Sequence, residues 1–259
     1  MAKSNDPILN KLFQDTNTYK EEAISLNKKE FIKVVESRRS VRIYDQTKVK
    51  ESDMMQCLEL ALLSPNSSNL QPWEFYWVKD PNKKNKLIDY CLGQPAAKTA
   101  QELIVCVARP DHWKLNTKIM LDMFKDKDLP DAVSTYYKKI VPLAYNQGFL
   151  GLFGIIKKIS TFIIGLRKSI PREPTSINDM KIWAHKSTAL ACQTLMLALR
   201  AFGYDSCPME GIDSFRIKKM LKLPKKAQIC MVISAGKRAH NGVYGKRFRL
   251  KKERFIKIV

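Results

Sequence analysis

Arg38-Arg39-Ser40-Val41-Arg42 is a short stretch with three guanidinium groups and one hydroxyl, and it follows residues 28–37, whose pattern predicts a helix. Guanidinium forks match phosphate oxygens and stay charged at any working pH, and Ser40 adds a neutral donor. The stretch is therefore a candidate phosphate-binding site. Taken alone it is equally compatible with a solvated basic turn, because runs of charge usually face water.

Hydrophobic periodicity and turn residues predict the elements around this stretch. Residues 52–64 form an amphipathic pattern that predicts a helix with Ser52 as its N-cap, and a polar turn follows over residues 65–69. Residues 73–78 predict a strand, and the continuous apolar run over residues 103–108 predicts a buried one. Helices and strands are thus interspersed in the first half of the chain.

The second half contains a long segment, residues 181–202, that is nearly free of charge over much of its length and ends at Gly203. It predicts a helix buried nearly all round, at the domain centre or at a subunit interface. Residues 228–234 predict another buried strand, and residues 254–259 alternate as an edge strand. Few strands, set far apart among helices, favour an α+β fold.

Length and composition are those of a globular protein, with 259 residues and 45% hydrophobic content. We expect a single domain over residues 1–259, with an insertion at about 112–179, where the pattern changes, covering the active site. The net charge of +21 indicates an anionic partner, which is a nucleic acid, a phosphorylated cofactor or an acidic membrane surface.

The expected location is cytoplasmic, with a peripheral position at the inner face of the membrane as an open alternative. The N-terminal residues lack the apolar core and cleavage site of a signal peptide. No apolar run is long enough for a conventional transmembrane helix. The six cysteines are scattered without metal-binding spacing, which predicts buried thiols.

Four separated stretches combine basic, short polar and turn-forming residues: Arg38-Arg39-Ser40-x-Arg42, Ser64-Pro65-Asn66-Ser67-Ser68-Asn69-Leu70-Gln71-Pro72-Trp73, Cys207-Pro208-Met209-Glu210-Gly211-Ile212-Asp213 and Gly245-Lys246-Arg247-x-Arg249. In this order and at these separations they resemble the FMN-dependent nitroreductase family. The resemblance covers residues 30–110 and 180–259 and fails across the insertion.

The resemblance implies a nitroreductase-like fold, with a central, mainly antiparallel sheet flanked by helices, in an intertwined homodimer with a C-terminal edge strand. It implies FMN as the cofactor and NAD(P)H as the reducing co-substrate. Hydride would pass through flavin N5 to a quinone, nitroaromatic or related acceptor by a ping-pong mechanism. Reductive dehalogenation and flavin breakdown, which similar proteins perform, stay open as alternatives.

The family pattern implies a role for each arginine of the set. The FMN phosphate, with about two negative charges, would be surrounded by four guanidinium groups. These belong to Arg38, Arg42, Arg247 and Arg249. Arg39 and Ser40 match positions that reach the pyrimidine edge of the flavin and the ribityl chain.

The polar turn offers short amide and hydroxyl groups from Asn66, Ser67 and Asn69, which suit a ribityl chain or a phosphate. In the family this turn comes from the other subunit. Taken alone, the same residues are ordinary turn chemistry. Gln94 matches a family position whose amide side chain faces the pyrimidine.

The segment Pro208-Met209-Glu210-Gly211 matches the family segment whose backbone N–H meets flavin N5. Glu210 would therefore act through its backbone, and Gly211 would permit close approach to the ring. No side chain is expected to be catalytic, because the hydride chemistry belongs to the cofactor.

Other site chemistries find little support. His112, His185 and His240 share no spacing with one another or with acidic residues, so neither a metal site nor a catalytic triad is predicted. No Rossmann fingerprint or Walker motif occurs. A non-enzymatic, basic nucleic-acid-binding protein is the alternative from another class, motivated by the net charge and by the tail at 246–257. Without an RNP, helix-turn-helix or zinc pattern, nucleic acid is an unlikely partner.

Residues 148–170 depart most from the family pattern. Apolar residues recur there at helical spacing, without any acidic residue and with four basic ones: Lys157, Lys158, Arg167 and Lys168. This pattern is typical of an amphipathic helix on an anionic membrane surface. A lid helix packed over the active site or onto a partner subunit gives the same pattern and is the more common arrangement, because apolar stripes more often face a protein core than a membrane.

Overall fold

A computed structural model of the chain describes residues 22–124 and 131–259. Its strands are β1 (Trp73–Trp77), β2 (Glu102–Ala108), β3 (Asp205–Met209) and β4 (Gln228–Gly236). Its helices are α1 (Lys28–Ser37), α2 (Glu51–Leu62), α3 (Pro81–Tyr90), α4 (Pro95–Lys98), α5 (Trp113–Met123), α6 (Asp131–Thr135), α7 (Val141–Tyr145), α8 (Leu152–Ile164), α9 (Ile177–Ala201) and α10 (Ser214–Met220).

The four strands form one antiparallel sheet in the spatial order β1-β2-β4-β3. β2 lies inside the sheet and is buried on both faces, which explains its continuous apolar run. β3 was not predicted because Pro208 interrupts its pattern. An edge strand tolerates proline, which has no N–H to donate, and β3 lies at an edge. The predicted α+β fold with an antiparallel sheet is confirmed.

Two apolar clusters cover the two faces of the sheet. Side chains of β2 alternate between them, because successive residues of a strand point to opposite faces. Leu103 and Val105 pack with α3, α4 and α10, whereas Ile104 and Cys106 pack with α2 and α9. The long helix α9 is not buried all round in the single chain, since Ile182 and Leu190 remain about half exposed. The exposed face is available to a partner.

Helix α9 begins at Ile177, four residues before the predicted start, because Ser176 caps it. The Ser176 hydroxyl accepts a hydrogen bond from the Asp179 N–H at 3.0 Å, and the Asp179 carboxylate accepts one from the Thr175 N–H at 2.8 Å. Burial opposes the charge of Asp179, but the hydrogen bonds that its carboxylate accepts from Thr175 and Ser176 outweigh it and lower its pKa. The helix ends before Gly203, whose φ of +80° suits glycine.

Residues 112–179, which we predict to be an insertion, contribute to a third apolar cluster beside the first turns of α9. Tyr137, Val141 and Tyr145 pack there with Met180 and Trp183. A five-residue π-helical turn, Tyr136–Ile140, joins α6 to α7. The insertion is therefore anchored to the helix that supports the sheet.

Two further predictions are wrong. Ser52 is not an N-cap: α2 begins at Glu51, Lys50 occupies the cap position, and no side chain caps the helix. Residues 254–259 form no strand in the described chain, where a 3-10 turn, Lys252–Arg254, precedes residues without regular structure. Alternating polarity produces a strand only where a neighbouring strand pairs with it, and within the described single chain residues 254–259 pair with none.

The cap of α9 yields a direct test of these assignments. Ser176→Ala should lower the free energy of unfolding by about 1 kcal/mol, because it removes the acceptor for the Asp179 N–H. Urea unfolding measures this change. Ser52→Ala is the matched control and should change stability by less than about 0.5 kcal/mol. Equal losses in both variants would contradict the assignment of Ser176 as the cap.

Candidate functional site

The basic stretch 38–42 lies between β3 and the segment that follows β4. Ser40 forms a parallel bridge with Ser206, and the Val41 N–H donates to the Ser206 carbonyl at 3.2 Å. On the other side, the Arg42 N–H donates to the Gly242 carbonyl at 2.8 Å. Backbone pairing therefore brings two basic segments that are distant in sequence against each other.

The five arginines and the serine predicted for the FMN site come together. They line one cavity of about 270 Å³ with residues 243–249. The Arg247 guanidinium donates to the Arg38 carbonyl at 2.6 Å, and the Arg39 guanidinium donates to the Gly245 carbonyl at 2.6 Å. These bonds fix the two basic segments across the cavity. The lining residues from the prediction are Arg38, Arg39, Ser40, Arg42, Arg247 and Arg249.

The charge of this cavity is not neutralised by the protein. No ion pair within residues 22–124 and 131–259 involves any of its five arginines, whereas Arg200 and Arg238 outside it both pair with Asp205. Burial lowers the pKa of Arg38, and the positive charges of Arg247 and Arg249 lower it further. Like charges held this close repel one another. A multiply charged anion fits the cavity because it relieves that repulsion.

Gln94 and Gly211 form the second part of the predicted site. The Gln94 side-chain amide donates to the Gly211 carbonyl at 2.9 Å, although the two residues lie far apart in sequence. A Cβ at Gly211 would have only this amide nitrogen nearby, at 4.0 Å. Met209 is buried, whereas Glu210 is exposed. The backbone at Gly211 is therefore open to a flat ligand.

The polar turn adopts a strained conformation. Ser68 and Asn69 have positive φ values of 59° and 48° in the 3-10 turn Ser67–Asn69. The Asn66 side-chain carbonyl accepts a hydrogen bond from the Gln71 N–H at 2.7 Å. Ser67 and Asn69 are exposed. Within one chain, the turn is not among the residues that line the arginine cavity.

Three tyrosines of the insertion hold this turn, and the sequence analysis missed them. Tyr145 shares hydrogen bonds with the Ser67 and Ser68 hydroxyls at 2.9 and 3.0 Å. Tyr136 shares one with the Ser68 hydroxyl at 2.6 Å, and the Tyr137 hydroxyl donates to the Ser68 carbonyl at 3.1 Å. No regular spacing links these tyrosines to the turn, so only the fold reveals the contact.

The histidines and cysteines form no metal centre among the described residues, since no group of three or more potential ligands is close enough to hold an ion. Cys57, Cys91, Cys106, Cys192 and Cys207 are buried free thiols, and Cys230 is half-buried. Burial lowers the pKa of His112, and the charge of Arg109 lowers it further.

Comparisons with known proteins agree with this arrangement. The model of the nitroreductase family matches residues 35–237. The NADH dehydrogenase of Thermus thermophilus is 28% identical over 217 residues, which cover 83% of this chain and 90% of that protein. Protein DrgA of Synechocystis is 28% identical over 211 residues, covering 81% of this chain and 84% of that protein.

A solved structure from Exiguobacterium sibiricum, described as a nitroreductase in complex with FMN, has the same fold. Its TM-score is 0.67 at 23% identity, and the match covers 92% of this chain and 100% of that one. The family match spans the stretch 38–42, the polar turn and the segment 208–211. The prediction made from the four sequence stretches is confirmed: the chain belongs to the nitroreductase family of FMN-dependent oxidoreductases.

Proposed function

We propose that the chain holds FMN at the arginine cavity and passes hydride from NAD(P)H to a quinone, a nitroaromatic compound or a related acceptor. FMN supplies reversible hydride transfer at N5. Donor and acceptor use the same flavin face in turn, so ping-pong kinetics follow. The proposal rests on one observation: five arginines line a single cavity, and none of them has an acidic partner among the described residues.

The phosphate would be held from two sides. Arg38 and Arg42 approach from the stretch pinned to β3, and Arg247 and Arg249 approach from the segment after β4. A guanidinium has five N–H donors, so Arg247 can bond the Arg38 carbonyl and still donate to a phosphate oxygen. Arg39 and Ser40, in the same cavity, would reach the pyrimidine edge and the ribityl chain.

The loop after β3 would receive the flavin ring. The Gln94 amide uses one N–H on the Gly211 carbonyl, which leaves its second N–H and its carbonyl oxygen for the pyrimidine. The hydrogen bond between Gln94 and Gly211 also fixes the loop, so that the backbone of Pro208, Met209 and Glu210 would lie beside the ring. The backbone N–H of Glu210 would then donate to N5.

We propose a homodimer in which the polar turn reaches the FMN site of the partner. The exposure of Ser67 and Asn69 supports this, as does the apolar surface of α2 and α9. On that surface Leu63 and Leu190 are 78% and 49% exposed. Asn66, Ser67 and Asn69 would complete the ribityl and phosphate contacts.

The insertion would select the acceptor, since it departs from the family pattern and its tyrosines contact the polar turn. The relative named NADH dehydrogenase supports a nicotinamide reductant. Reductive dehalogenation and flavin breakdown stay open, and turnover assays across these substrate classes would distinguish them. Family membership favours an enzyme over a nucleic-acid-binding protein.

Loss of one cavity arginine should weaken FMN binding strongly. Arg38→Ala or Arg249→Ala removes a charge-assisted contact of about 1.5 to 3 kcal/mol, so the dissociation constant of FMN should rise about 10- to 100-fold. Titration of apoprotein with FMN, followed by quenching of flavin fluorescence, measures this. Lys83→Ala, on the exposed face of α3, is the control. Equal affinities in all variants would refute the phosphate assignment.

Gly211→Val should block the flavin without unfolding the chain. The new side chain enters open space in the protein, so the melting temperature of the apoprotein should stay near that of the wild type. The same side chain occupies the approach to the ring, so the purified variant should carry little flavin. A variant that remains yellow and active would show that this loop does not touch the ring.

Removing the tyrosine hydroxyls should loosen the polar turn. We expect the double change Tyr136→Phe and Tyr145→Phe to raise the FMN dissociation constant several-fold, because the positive φ values at Ser68 and Asn69 lose their support. Faster amide hydrogen exchange over residues 66–71 would accompany it. Tyr90→Phe is the control, since the Tyr90 hydroxyl makes no hydrogen bond within residues 22–124 and 131–259. Unchanged amide hydrogen exchange over residues 66–71 would show that the tyrosine hydroxyls do not stabilise the polar turn.

A further inference from the structure

Helix α8 turns its apolar face outward. Gly154 is buried and Lys157 is half-buried, and the Lys157 ammonium donates to the carbonyls of Ala144 at 2.7 Å and Pro174 at 3.1 Å. The residues of the opposite face are between 56% and 62% exposed: Leu152, Ile155, Ile156, Ile159, Phe162 and Ile163. A helix on the surface of a water-soluble domain has the reverse arrangement. We call these six residues the apolar stripe.

The orientation of α8 is fixed by its packing. A Cβ at Gly154 would collide with the Thr175 carbonyl and the Gln147 side chain, so the helix lies directly against the 171–175 segment. At the other end, the Arg172 guanidinium donates to the carbonyls of Thr161 at 3.0 Å and Gly165 at 2.7 Å. These contacts prevent rotation of the apolar stripe toward the protein.

Charges around the stripe identify what covers it. Lys158, Arg167 and Lys168 are exposed, and residues 148–170 contain no acidic side chain. A second copy of α8 would bring the same cations, and no acidic residue from 148–170, against this surface, so it is a poor electrostatic match here. An anionic lipid surface complements both the cations and the apolar side chains.

Length and composition add a second observation. No single helix among the described residues is long and apolar enough to cross a membrane. The pair Val133–Tyr145 and Phe149–Ile164, which is bent by 65°, satisfies the same criteria when both helices are taken together. The first helix of this pair packs into the third apolar cluster through Tyr137, Val141 and Tyr145, so only the second presents an apolar face outward.

We infer that the apolar stripe of α8 docks on an anionic lipid bilayer, with Lys158, Arg167 and Lys168 at the lipid phosphates. Phe149, Leu150 and Leu166 are also strongly exposed and extend the surface at both ends of the helix. The inference concerns the insertion alone and does not depend on the proposed acceptor.

Co-sedimentation of the FMN-loaded protein with vesicles tests this inference. Vesicles of equal parts phosphatidylglycerol and phosphatidylcholine should bind about 100-fold more tightly than pure phosphatidylcholine vesicles at low salt, from the contributions of three cations. Added salt should weaken the binding because it screens those charges. No binding, or equal binding to both vesicles, would overturn the inference.

Matched variants locate the surface. Phe162→Asp should abolish vesicle binding, whereas Phe215→Asp on α10, also an exposed phenylalanine, should not. Lys158→Glu changes the charge by two units and should weaken binding about 30-fold, whereas Lys86→Glu on α3 should weaken it far less. Equal effects within either pair would contradict docking through α8.

Three controls separate the other outcomes. FMN content and turnover of a water-soluble acceptor should stay unchanged in Phe162→Asp, so a failure of the proposed function is seen independently of vesicle binding. If the wild-type protein does not bind vesicles and Phe162→Asp lowers the mass of the particle in sedimentation velocity, the stripe is covered by a second copy of the chain. If the wild-type protein does not bind vesicles and Phe162→Asp changes only the KM for the acceptor, α8 is a lid. Either result overturns docking.

Discussion

The backbone pairing of Ser40 with Ser206 is the interaction on which the site depends. It attaches the stretch after α1 to the edge strand β3, and β3 leads directly into the loop of Gly211. An edge strand has unpaired backbone groups, and here they are used to hold a binding segment. The arginines and the open backbone at Gly211 thereby belong to one rigid unit with the sheet.

That pairing also creates an electrostatic conflict. Arg38, Arg247 and Arg249 lie close enough for their charges to lower the pKa of Arg38. Elsewhere in the described chain several arginines are neutralised by carboxylates, as with Arg109, which pairs with Glu74 and Asp111. In the proposed function this cavity would be preorganised for the FMN phosphate, because its positive charges are already held together before binding.

The insertion connects three regions that the sequence presents separately. Its tyrosines hold the polar turn, its apolar cluster contacts the first turns of α9, and α8 exposes an apolar stripe. Lys157 binds α8 to the carbonyls of Ala144 and Pro174, so the outer helix and the inner cluster form one body. The stripe and the polar turn are therefore joined through packed elements.

The sequence by itself determined the family, the cofactor and the sheet strands of strong apolar character. The ordered basic and polar stretches are local patterns, and the continuous run of β2 reflects burial on both faces. Tertiary structure decided what depends on long-range contact. Proline is tolerated at position 208 because β3 lies at an edge of the sheet. Residues 254–259 pair with no strand in the described chain. The tyrosine contacts and the inward-facing Lys157 depend on how segments that are distant in sequence pack together. The periodicity of the sequence does not predict such packing.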